Sequence, residues 1–426
     1  MSGDPLGARV SRLKNGVRIA SAFMPHLQGV CVGVWALVGG RHEKREECGI
    51  AHFLEHLLFK GTTKRSAREL TLAVEGVGGY LNAFTTEDHT CYYAKAAAVH
   101  FERIGEVLLE MYSDSQFPEN EVRREREVIR EEILSGRDVP SQWVEDLLSE
   151  SLWPGHPLGR SLTGTEESIA RLGRRALRGF RDRHYTGANT VVTVAGSVEH
   201  AQVLEVLGGG FGALSKGKSV RSSRLKKAPR FELRVEEADS EQSHVALGFH
   251  AYGRTDPRRY AARLLSVLLG ENMSSRLFQV LRERHGYCYS VQSSTVFLEE
   301  TGAVSIFADL DPAKLPGALK LLRREFERLR ERRVSKGELR RAQEYVIGQA
   351  RISLDSATQR NAWMAESLMA HGRVVSPGEV EAGILAVDPA MVQGVAREVL
   401  TRNRMGAAFV GPGYGKGEME RLLMGF

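Results

Sequence analysis

Residues 29–38 (GVCVGVWALV) are apolar at nearly every position and read as a strand. Residues 92–114 run from a second strand into a long helix with apolar positions on one face. The same order returns further along: 244–250 (HVALGFH) reads as a strand, 259–269 and 275–283 as helices, 303–309 as a strand and 313–330 as a long helix. A repeat on this scale predicts two similar α+β domains, each a mostly antiparallel sheet packed with helices. The first is expected over 1–213 and the second over 230–426. The 214–229 stretch between them reads as a linker, because hydrophobic periodicity lapses there and charge rises.

The length of 426 residues agrees with two to three domains rather than one core. Apolar residues make up 42% and charged residues 26%, which excludes disordered, collagen-like and coiled-coil classes. Mean hydropathy is -0.27, no uncharged run approaches membrane-spanning length, and the first ten residues lack the order of a signal peptide. The expectation is a cytoplasmic protein with no membrane partner. The net charge of +6 gathers largely in Lys216, Lys218, Arg221, Arg224, Lys226 and Lys227. Ser and Gly accompany these cations, so the stretch reads as a solvated linker rather than a nucleic-acid footprint, and no nucleic-acid partner is expected. Cys31, Cys48, Cys91 and Cys288 form no short-spaced pair and are expected to be reduced, buried thiols.

The sharpest chemistry lies in His52-Phe53-Leu54-Glu55-His56. On a helix through 50–59, Ile50, Phe53, Leu54, Leu57 and Leu58 share one face, and His52, Glu55 and His56 share the other. Imidazoles at i and i+4 stand one turn apart, close enough to hold one Zn²⁺, and the intervening Glu reaches a water beside the metal. A third ligand is expected in the run from Glu125 to Ile133, where Glu125 and Glu132 are nearly two turns apart. Val128 and Ile129 lie on the same expected face, which turns both carboxylates inward. Glu132 is then the third ligand and Glu125 a partner orienting a ligating histidine. The alternative is a plain charged helix face. Two imidazoles and one carboxylate leave a tetrahedral position open, the pattern of a catalytic zinc suited to amide hydrolysis with Glu55 as base.

These residues resemble the pitrilysin-type inverzincin metallopeptidases, in particular the short branch related to bacterial processing proteases and the mitochondrial processing peptidase. His52, Glu55, His56 and Glu132 match the family's HxxEH plus distal Glu, and Glu125 matches its supporting acid. The segment from Gly78 to Thr85 resembles the family's substrate-binding edge strand, which implies that Tyr80, Asn82 and Ala83 contact substrate. Ser274 to Phe278, followed by Leu281 to Ser290, resembles a second family segment, and Arg282 and Tyr289 match its Arg-Tyr pair. The resemblance implies that this pair binds the scissile carbonyl and the developing oxyanion. Without the resemblance, Arg282 reads as a solvated helix residue and Tyr289 as core.

The architecture implied is a clamshell of four homologous domains, of which this chain supplies half. The expected assembly is a homodimer with one Zn²⁺ per subunit, each zinc site completed by Arg282 and Tyr289 of a second copy. The expected activity is endopeptidase cleavage of unstructured peptides. The alternative within the same fold is a non-catalytic subunit that holds peptides or serves assembly.

Overall fold

The structure, a computed structural model, describes residues 6–222, 225 and 230–426. Eleven strands build two sheets among these residues. The first contains β1 (Ala8–Arg12), β2 (Arg18–Phe23), β3 (Gly29–Ala36), β4 (Tyr80–Thr85), β5 (Thr90–Ala97) and β6 (Thr190–Gly196) in the order β1-β2-β6-β3-β5-β4. The second contains β7 (Glu232–Glu237), β8 (Ser243–Tyr252), β9 (Cys288–Phe297), β10 (Thr301–Leu310) and β11 (Met405–Gly411) in the order β7-β11-β8-β10-β9. Without β1, the two orders coincide strand for strand. So do the directions: β2 with β6 and β7 with β11 are parallel, and every other neighbouring pair is antiparallel. The fold is α+β with two homologous halves.

Central strands β3 and β8 are buried nearly throughout. A strand with helices on both faces has no solvent side, which explains apolar runs where a half-exposed strand would alternate. In β3, Val30, Val32 and Val34 enter one core while Trp35 enters another on the reverse face, together with Met364, Ala365 and Leu368.

Those last three residues lie on the helix Ala357–His371, although the sheet they cover is built from the first half of the chain. The reverse holds for the second sheet, one face of which packs against Val144, Leu148 and Leu152 of the helix Pro140–Leu152. Compact units therefore draw on three segments each: residues 1–133, 161–223 and 350–378 in one, 134–160, 224–349 and 379–426 in the other. A cut at 214–229 separates the strands of the two sheets and cannot express this exchange of helices. Of that stretch, residues 223–224 and 226–229 lie outside the described residues. Its earlier part is bonded rather than free: Ser215 and Lys216 carbonyls accept from Gly187 and Ala188 N–H at 2.8 and 2.9 Å.

The exchanged helix is pinned by a buried amide. Asn361 Nδ2 donates to the Thr193 and Cys31 carbonyls at 2.8 and 3.1 Å, and Asn361 Oδ1 accepts the Thr193 hydroxyl at 2.6 Å. All of its main groups are satisfied, so the polar side chain fixes register without a desolvation debt. Room for it comes from Gly33, where an added Cβ would overlap Asn361 Oδ1 and stand 2.8 Å from Trp35 Nε1. Gly33→Ala is expected to lower stability by about 1–3 kcal/mol, because three hydrogen bonds hold the amide in its path. Chemical denaturation of the variant and parent checks this value, and an unchanged midpoint would contradict the pinning.

Candidate active site

The helix Ile50–Leu57 starts where the backbone requires it to. Gly49 precedes it at φ 87°, and a Cβ there would stand 2.6 Å from the Thr163 carbonyl, so only glycine fits. Buried Glu43 accepts the Gly49 and Ala51 N–H groups at 2.7 and 2.9 Å. That carboxylate satisfies two amides at the helix start and sits at the positive end of its dipole. Ile50, Phe53, Leu54 and Leu57 are fully buried. The opposite face carries His52, Glu55 and His56.

The helix Glu119–Arg137 runs past this face. Its buried stripe is Val122, Glu125, Ile129 and Ile133. Val128 does not belong to the stripe, contrary to the expectation from spacing: it is 46% exposed. Val128 and Glu132, four residues apart, form the neighbouring ridge. Glu132 therefore stands at the rim, its side chain 46% exposed, rather than fully inward.

From that rim Glu132 faces both imidazoles. Its Oε1 is 3.6 Å from His52 Nε2 and its Oε2 is 3.7 Å from His56 Nε2. The three residues form the only group of histidine, cysteine and acid side chains, among the described residues, that brings donors close enough to hold a metal ion. The separations are too long for hydrogen bonds. They suit a shared ion, since tetrahedral ligands at about 2.0–2.2 Å from Zn²⁺ stand roughly 3.4 Å apart. Burial, aided by the neighbouring His56, pushes the His52 pKa down to about 3, so the ring is held in the neutral form that ligates.

Glu125 supports the second ring. Its Oε2 pairs with His56 Nδ1 at 3.2 Å and its Oε1 with Lys60 Nζ at 2.8 Å. Burial opposes its charge, but the bonds from His56 and Lys60 outweigh that and hold its pKa below the ordinary carboxylate value. A carboxylate behind a ligating imidazole fixes both tautomer and ring orientation. Lys60 was not anticipated from the sequence. The one available signal was its position four residues after His56, one further turn along.

Glu55 lies between the histidines, half-buried, and its Oε2 accepts the Thr85 hydroxyl at 2.6 Å. Burial raises its pKa, partly countered by Thr85. Thr85 is the last residue of β4, the edge strand of the first sheet. Along β4, Leu81 and Ala83 pack on the core, while Tyr80, Asn82 and Phe84 are exposed. Asn82 Nδ2 donates to the Tyr80 hydroxyl at 2.5 Å and its Oδ1 accepts the Ala83 N–H at 2.8 Å. That N–H is turned away from β5, onto the free edge of the sheet.

Arg282 and Tyr289 belong to the other compact unit. The expected helix over 275–283 includes a π-helical turn, Phe278–Arg284, and Arg282 lies on it with its guanidinium carbon 5.7 Å from the Tyr289 ring centre. Tyr289 is the second residue of the edge strand β9 and is 75% exposed, so it is not a core residue. All four cysteines are buried and none is in a disulfide. No helix among the described residues is long and apolar enough to cross a membrane.

A repeated α+β fold places an HxxEH helix opposite a glutamate-bearing helix. Known proteins resemble this chain over nearly its whole length. Residues 18–166 match the family model described as insulinase (peptidase family M16), and residues 171–346 match the peptidase M16 inactive domain. A protein from Streptomyces coelicolor called an uncharacterized zinc protease is 35% identical over 95% of this chain and 89% of its own length. Another so called, from Bacillus subtilis, is 35% identical over 92% of this chain and 95% of its own. A protease from Helicobacter pylori shares the fold with a TM-score of 0.89, at 24% identity, over 95% of this chain and 99% of that one. A structure described as the peptidase M16 inactive domain, from Pseudomonas fluorescens, has a TM-score of 0.87 at 18% identity, over 96% of this chain and 99% of that one. The chain belongs to peptidase family M16.

Glu125→Gln is expected to weaken zinc binding about 10- to 100-fold, because the neutral amide no longer balances Lys60 or polarises His56. Competitive titration against a chromogenic chelator measures this, and an unaltered affinity would remove Glu125 from the site.

Proposed function

We propose that the chain is a zinc-dependent endopeptidase that cleaves unstructured peptides in a chamber formed with a second copy of itself. The observation that carries this reading is the convergence of His52, His56 and Glu132, with Glu55 on the same helical face as the histidines. Those three ligands would hold one Zn²⁺ per subunit. When bound, it supplies a Lewis acid that polarises a carbonyl and acidifies water.

The chain's own groups supply the rest. Glu55 takes a proton from the attacking water and returns it to the leaving amine; its burial favours holding that proton between the two steps. Glu125 and Lys60 keep the His56 ring in place. The free edge of β4 takes an extended peptide by strand addition, with Tyr80, Asn82 and Ala83 along the contact. Such an edge accepts main chain, not a folded surface, which supports unstructured substrates. Arg282 and Tyr289 of the second copy bind the substrate carbonyl and the oxyanion, as a fixed cation and a phenol hydroxyl are suited to do.

The alternative is a peptide-holding subunit without catalysis, favoured by the inactive-domain model that residues 171–346 match. The zinc-type residues lie outside that match, in the first half, and all are present. A mixing experiment tests enzyme and assembly together. Glu55→Gln and Arg282→Ala are each expected to be inactive alone on a quenched fluorescent peptide. Mixed and allowed to exchange subunits, they are expected to recover about a quarter of parental activity, since half the pairs then hold one complete site. Parental activity in Glu55→Gln would contradict its role as base. No recovery on mixing would contradict the shared site.

A further inference from the structure

Glu55 has two carboxylate oxygens, and the fold treats them differently. Oε2 accepts the Thr85 hydroxyl at 2.6 Å, whereas Oε1 accepts no hydrogen bond among the described residues. The donor's backbone is fixed by strand pairing. Thr85 pairs directly with Thr90 of β5, and their hydroxyls stand 3.5 Å apart. Thr90 is fully buried and donates to the Val38 carbonyl at 3.0 Å.

The turn after Thr85 is tied down as well. Thr86 N–H donates to the His89 carbonyl at 2.8 Å, Gly40 N–H to Thr86 at 3.1 Å and Arg41 N–H to Glu87 at 3.0 Å. Buried Arg41 adds an ion pair with Asp88 at 2.9 Å. The Thr85 hydroxyl is thus carried by a braced hairpin and not by the helix that carries Glu55. Packing alone does not call for a hydroxyl here. Thr85 continues the side of β4 occupied by Leu81 and Ala83, where a valine of the same shape would serve.

A glutamate stem on a helix rim has several rotamers, and a charge-assisted hydrogen bond is strong enough to select one. Building on the hydrolytic reading, we infer that Thr85 is a positioning residue: its hydroxyl locks Oε2 of Glu55 and leaves Oε1 as the proton-accepting oxygen. Because Thr85 ends the strand that takes the substrate, the same contact sets the distance between proton acceptor and peptide. The substrate strand and the base are located by one residue.

Thr85→Val and Thr85→Ser in the full-length zinc-loaded protein test this, alongside Glu55→Gln. Thr85→Val is expected to lower kcat about 10- to 100-fold, part of the usual general-base contribution, with KM within about twofold of the parent. Thr85→Ser is expected to recover most of the loss. Zinc affinity and Tm remain at parental values in both. In metal-free crystals, Glu55 is expected to leave its rotamer in Thr85→Val and keep it in Thr85→Ser. Parental kcat in Thr85→Val beside an inactive Glu55→Gln overturns the inference, as does equal impairment of both Thr85 variants with a lowered Tm. If the parent binds zinc and cleaves no peptide, the hydrolytic reading fails, and the metal-free crystals decide the inference alone: an unmoved Glu55 in Thr85→Val overturns it.

Discussion

Two imidazole nitrogens and the two oxygens of Glu132 approach one point, at separations of 3.6 and 3.7 Å that no hydrogen bond accounts for. Holding them there takes much of the surrounding structure. Glycine at position 49 and the Glu43 cap start one helix at the required place, and the stripe from Val122 to Ile133 seats the other against the core. Burial keeps His52 neutral, and Glu125 steadies His56. The Glu132 rim remains open to solvent, so the donors converge without closing the site.

The repeat gives this site its context. Both halves lay down the same strand order, and in each the edge strand after the first helical segment stays unpaired on one side. The first half sets the His52–His56 helix beside that edge, whereas the second sets the π-helical turn with Arg282 and follows it with Tyr289. The two halves differ in what each places beside its edge strand. Their shared scaffold is kept by glycines facing the exchanged helices: Gly33 opposite Asn361, and Gly248 opposite Leu148 and Leu152.

The strands that are apolar throughout and the helices with a clear apolar face are legible in the sequence, because burial and periodicity are written locally. So is the shared face of His52, Glu55 and His56, where spacing by itself puts three side chains on one surface. Glu132 required a long-range match, since one charged residue among the many between Glu119 and Arg137 carries no mark of which ridge it occupies. Val128 is illegible for the same reason: an apolar residue within a charged helix resembles a core position until the neighbouring helix is known. The exchange of helices was not readable at all. An apolar face states that it must be covered and is silent about which sheet covers it. Lys60 and Thr85 matter through partners distant in sequence, Glu125 and Glu55, and no local pattern announces such pairs.

Zinc-edge X-ray absorption on the purified protein loaded with one equivalent of Zn²⁺ tests the metal assignment most directly. The account predicts a first shell of nitrogen and oxygen at about 2.0–2.1 Å, imidazole scattering from two rings, and loss of one oxygen contribution in Glu132→Ala. A sulfur-containing shell, or a spectrum from Glu132→Ala identical to the parent's, would contradict it.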